Sequence, residues 1–185
     1  MKIVLILFLF FFFDHLKANE IRSIVKVNNY SITNIDLIKE ITINEILKKR
    51  KLADSEKKIL LNNLIEEKIK KIETNKIKID ASSVNVRVSQ IIKNYNLNED
   101  DHKKIREYLF NKVEILMKWN KLIAILFSKK LEINMNEIEE NMKIKKIDLE
   151  KKEEMIEMEK TKKINILSNT FYNEVKRKYL IKNIK

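Results

Sequence analysis

Histidine stands at positions 15 and 102 only, and the chain has no cysteine. That leaves little from which to build a nucleophile–base pair or a metal site. Without thiols there are no thiolate zinc sites, no CxxC redox motif and no disulfide. Without glycine there is no phosphate-cradling loop, where only a residue lacking Cβ lets backbone approach the ligand. His102 sits in Asp100-Asp101-His102-Lys103, the form of an exposed helix start, and reads as a surface histidine. The pairs Glu66-Glu67, Asp100-Asp101 and Glu153-Glu154 are adjacent in sequence. Neighbours on a helix point in different directions, so these are solvated charges and not acid–base dyads. The expectation is a non-enzymatic protein with no catalytic residue, metal, cofactor or small-molecule substrate.

The residue types that remain are those of recognition. Tyr95, Tyr108, Leu109, Phe110, Met117 and Trp119 form a candidate peptide-binding set, with Phe127 further along. Aromatic side chains anchor recognition surfaces, although the same helical spacing serves an ordinary core. Met155 and Met158 are flexible enough for promiscuous binding, or belong to a half-exposed helix face.

The elements that must position these residues are mostly helical. Ile24-Val25-Lys26-Val27 and Tyr30-Ser31-Ile32 read as two short strands around an Asn28-Asn29 turn, where Asn tolerates positive φ. Thr33-Asn34-Ile35-Asp36 has the form of a capping box. A helix is predicted from about Asn34 to Lys49, with Ile35, Ile38, Ile41 and Ile46 on its buried side. Asp54 or Ser55 opens the next, through Leu61, Leu64, Ile65, Ile69 and Ile72. After the extended link Ile77-Lys78-Ile79, Asp80 or Ser82 caps a helix through Val84, Val88, Ile91, Ile92 and Tyr95. A long apolar-periodic stretch runs from Lys103 to about Leu131 and has more apolar positions than one stripe requires. Asn134 or Asn136 begins a short helix through Ile138 and Met142. Residues 143–163 are highly charged and poorly patterned, and read as a connecting segment. The spacing recovers at Ile164 with Leu167, Phe171 and Val175, and Tyr179 to Ile184 reads as a strand.

Of 185 residues, 44% are hydrophobic and 36% charged, enough for both a core and a soluble face. The net charge of +12 comes mostly from lysine. Those lysines are spread along the chain among 27 carboxylates, not gathered in one stripe, and arginine, the better reader of bases, is scarce. Genome bias toward Lys, Asn and Ile explains this better than nucleic-acid binding. Acidic partners and peripheral contact with an anionic membrane remain compatible with the charge.

Lys2, the apolar run Ile3 to Phe13, and Leu16-Lys17-Ala18 match a secretory signal. Eleven apolar residues in a helix reach about 16 Å at ~1.5 Å per residue, short of the ~30 Å bilayer core. The expected mature chain begins near Asn19, in the periplasm of a Gram-negative bacterium. A retained anchor on a membrane-tethered assembly or scaffold factor is the rival.

Taken in order, these patterns resemble the SurA N-terminal domain family. Ile24 to Leu37 looks like that family's opening hairpin, "V-N-x-x-x-I-T-x-x-D-L". Leu60 to Ile79 is similar to its "L-I-x-x-K" helix and link. Asn136-Glu137-Ile138-Glu139 falls at its "E-I" helix start, and Ile164 to Ile184 resembles its closing helix and strand. Two departures stand out. Asn, Lys or Asp replaces the family's glycines at helix junctions. The parvulin-type isomerase domains have no room, since only about twenty residues stand where a domain needs ~50, which weighs against a divergent prolyl isomerase.

The resemblance implies a mainly α fold: a helical domain over residues 19–142, with residues 164–185 completing it. The C-terminal strand would pair with the N-terminal hairpin. It also implies an ATP-independent periplasmic chaperone whose partners are unfolded outer-membrane protein segments.

Overall fold

The computed structural model describes residues 20–95 and 97–184; the expected signal, residues 1–18, lies outside them. Ser23–Val27 forms β1 and Tyr30–Thr33 forms β2, paired antiparallel. Asn28 in the turn takes φ 50°, a left-handed conformation that Asn adopts more readily than most residues bearing a Cβ. Val25 and Val27 are buried while Lys26 between them is exposed, the period-two pattern of a sheet covered on one face. Ile181–Asn183 forms β3 and pairs antiparallel with β1, giving the order β2-β1-β3. The expected closure of the hairpin by the C-terminal strand is therefore present. Asn28 clasps it: its N–H donates to the Leu180 carbonyl at 2.9 Å, and its Oδ1 accepts from the Leu180 N–H at 2.8 Å.

Among the described residues there are six α-helices: α1 (Asn34–Lys48), α2 (Asp54–Glu73), α3 (Ala81–Lys93), α4 (Glu99–Leu126), α5 (Met135–Lys145) and α6 (Lys152–Lys176). Side chains mark most of their starts. The Thr33 hydroxyl accepts from the Asp36 amide at 3.2 Å and the Asp36 carboxylate accepts from the Thr33 amide at 2.8 Å, the reciprocal capping box. Asp80, Asn98 and Asn134 cap α3, α4 and α5. Helix α2 opens at Asp54, the first of the two expected starts, and the Glu56 carboxylate reaches back to the Ala53 amide before it at 3.0 Å.

Helix ends without glycine carry a visible cost. Lys49 and Lys146 end α1 and α5, both at φ 53°. Each puts a Cβ where glycine is the usual residue, costing roughly 1–2 kcal/mol. The reward is carbonyl satisfaction: the amides of Arg50 and Ile147 return to Glu45 and Met142 at 3.2 and 2.9 Å.

Helix α4 packs against α2, α3 and α6. On one side, Ile43, Val84, Val88, Ile92, Ile105, Tyr108, Leu109 and Val113 form a core of α1, α3 and α4. On the other, the sheet residues Val25, Val27 and Ile32 join Ile65, Ile69 and Val175 from α2 and α6.

Three expectations are corrected. Residues 143–163 are no connecting segment: residues 143–145 finish α5 and residues 152–163 are the first half of α6. The long helix stops at Leu126, and Ser128–Leu131 is a separate 3-10 turn. In α1, Ile35 and Ile38 are exposed, while Glu40 and Ile43 are the buried residues.

Candidate functional site

Helices α1, α2 and α4 meet around a polar cleft of about 250 Å³. Glu40 is almost fully buried, and Lys112 reaches it with Nζ 3.0 Å from Oε2. The same ammonium hydrogen-bonds Glu67 and lies 5.0 Å from the centre of the Tyr108 ring. Burial, reinforced by a hydrogen bond to Glu40, pushes the Tyr108 phenol well above the ordinary tyrosine range. Lys39, Lys68 and Lys71 also line the cleft. Two carboxylates sharing one ammonium brace three helices. Sequence reasoning missed this cluster, and its one signal was Glu40 a turn before Ile43 on the inward face.

Lys112→Met leaves Glu40 buried beside an apolar side chain. The expected loss is about 3 kcal/mol, at the low end for breaking a buried pair, because Lys112 keeps a quarter of its side chain exposed. Chemical denaturation measures it, and adding Glu40→Leu should recover most of the loss. Failure of the second change to rescue the first would show that the pair is not a coupled brace.

The structure divides the predicted peptide-binding residues. Trp119, Tyr108 and Leu109 are core, at 0%, 9% and 9% exposure, and cannot meet a peptide in the folded chain. The Trp119 indole N–H donates to the Ser168 hydroxyl at 2.7 Å, and its ring lies 5.4 Å from that of Phe171. Phe110 and Met117 are half-buried, packed at the edge of the α1–α3–α4 core. Tyr95 follows the end of α3 and is 38% exposed. These six residues therefore do not form one surface. The physical reason is α4's position: packed on three sides, it spends its extra apolar residues on the interior.

Exposed apolar side chains occur elsewhere. Met158 and Ile166, two turns apart on one face of α6, are both more than half exposed. With Thr161, Lys162 and Asn165 they line a shallow groove of about 590 Å³, whose described lining comes from α6 alone. Leu116, Ile125 and Leu126 of α4 are likewise more than half exposed. His102 is an exposed residue of the first turn of α4, and Glu66 and Glu67 diverge to Lys70 and Lys112. Among the described residues no group of three His, Asp or Glu side chains is placed to hold a metal ion, and no helix is long and apolar enough to cross a membrane. Comparison with known proteins finds no matching family model and no matching curated protein.

Proposed function

We propose that the chain is an ATP-independent holdase chaperone of the periplasm that binds unfolded outer-membrane protein segments in transit. The observation that carries this reading is the pair of exposed apolar side chains on one face of α6, Met158 and Ile166. Exposed apolar surface marks interaction sites when it is contiguous and rimmed by polar residues. Here Glu154, Glu157, Thr161 and Lys162 supply that rim. Methionine adapts its shape to varied partners, and burial at ~25 cal/mol per Å² is indifferent to client sequence. The closed hairpin supports the reading too, since it is the topology that the SurA-like patterns imply. No glycine loop is available to hold nucleotide phosphates, so capture must be weak enough to reverse by itself.

The test is suppression of aggregation of an unfolded outer-membrane barrel, at near-stoichiometric ratio and without ATP. The double variant Met158→Ser, Ile166→Ser should lose suppression while keeping its helical circular dichroism. High salt should weaken capture only modestly, since apolar contact is not screened. No suppression by the wild type, or equal suppression by the variant, would end the proposal.

A further inference from the structure

A second surface feature lies away from α6. A notch of about 480 Å³ opens between α3 and α4, lined by Asn85, Lys103, Arg106, Glu107, Phe110 and Asn111. The Arg106 guanidinium stretches toward α3 but finds only long contacts there, 3.4 Å to Ser89 Oγ and 3.4 Å to Asn85 Oδ1. It pairs with no carboxylate among the described residues, and neither does Lys103 beside it. The half-buried Phe110 packs into the core at its base and supplies the apolar part of the lining. Asn111 donates its side-chain amide to the Glu107 carbonyl at 3.2 Å, which leaves its own oxygen as an acceptor.

We propose that this notch binds an extended client segment carrying an acidic side chain two residues from an aromatic one. The inference rests on the chaperone reading and names the client chemistry. The charge complement is direct, because a planar guanidinium without a carboxylate partner among the described residues matches a carboxylate through two parallel hydrogen bonds. Spacing selects the order of residues. Arg106 and Phe110 are one turn apart, with Cβ atoms about 5–6 Å from each other. In an extended chain, residues i and i+2 face the same way at ~6.6 Å, whereas neighbours in sequence face opposite ways. An acidic-x-aromatic triplet therefore seats its carboxylate on Arg106 and its ring on Phe110 together. The Asn111 oxygen takes a peptide N–H of the segment, and Glu107 repels a second carboxylate.

Fluorescence anisotropy on the intact chain tests this with labelled, C-terminally amidated peptides of Ser and Thr. One carries a single Glu-Thr-Phe triplet, the second Gln-Thr-Phe, and the third the reordered Glu-Phe-Thr. The Glu-Thr-Phe peptide should bind about tenfold tighter than either of the others, the size of one charge-assisted contact. Arg106→Gln should remove that preference while its thermal melt stays at the wild-type value. Arg106→Lys keeps charge and stem but not the fork, and should reduce the preference should the Gln variant not fold. Equal binding of the three peptides by the wild type, or a preference that survives both substitutions, would overturn the proposal. Aggregation suppression of a client without acidic residues should be the same for wild type and Arg106→Gln, so failure of the chaperone reading would appear in that assay alone.

Discussion

Deleting residues 164–185 should abolish cooperative folding of the residues before them. The deletion takes β3 and half of α6, and with them Val175, which is 1% exposed. Phe171, Tyr172, Tyr179 and Ile181, all packed on the same core, go with it. Each apolar side chain withdrawn from water stabilises by about 1.5–3 kcal/mol when buried in full, against a typical total of about 5–15 kcal/mol. Polar ties go as well. The Tyr179 hydroxyl donates to Glu73 at 2.6 Å, and the Ile184 amide donates to the Ile24 carbonyl at 2.9 Å. What remains of the sheet is a lone hairpin, marginal in water, with Val25, Val27 and Ile69 opened to solvent. Circular dichroism of the truncated chain should show reduced helix and no sharp thermal transition. A truncated chain that melts at the wild-type temperature would show that the tail is an appendage.

Trp119→Ala should be the most damaging single substitution. The side chain is fully buried, and replacing a core tryptophan by alanine costs about 3–5 kcal/mol. The Ser168 hydroxyl, itself buried, loses its donor, which adds part of an unsatisfied-group penalty. The melting temperature should fall by on the order of 10 °C, given a few degrees per kcal/mol at this length. Trp119→Phe keeps a ring against Phe171 but gives up the indole N–H and the volume of the second ring, so its effect should be smaller than that of alanine. Calorimetry is the suitable measurement, because the chain has no second tryptophan to report by fluorescence. The outcome also separates core from recognition. A client-binding anchor would leave the melt unchanged and lose capture, and that result would overturn the burial described above.

The elements were readable where short-range chemistry writes them. Thr33 with Asp36, Asp80 and Asn134 each carry their own capping geometry, and the Asn28-Asn29 turn its own twist; the long helix begins at Glu99, earlier than the Lys103 its apolar spacing suggests, because Asn98 caps it. Less readable was anything decided by a distant partner. Ile38 looks like a core residue by type, and Glu40 like a surface one. Lys112, far along the chain, reverses them by offering Glu40 a buried counter-charge. Residues 152–163 lacked a clear stripe because that half of α6 is covered on few sides: Met155, Ile156 and Glu159 are only half-buried. The candidate site suffered from the same blindness in reverse. An excess of apolar residues on one helix fits a binding face and a central helix equally well, and the neighbours of α4 decide between them.

The clasp between Asn28 and Leu180 also sets an order in time. Strand β1 is made before its second neighbour in the sheet, which emerges more than 150 residues later. Until then, one edge of β1 has no partner and the valines beneath it lack Val175. Contacts so distant in sequence form slowly, since a long loop must close before they are rewarded. The three-stranded sheet is therefore complete only once residues 181–183 have joined β1.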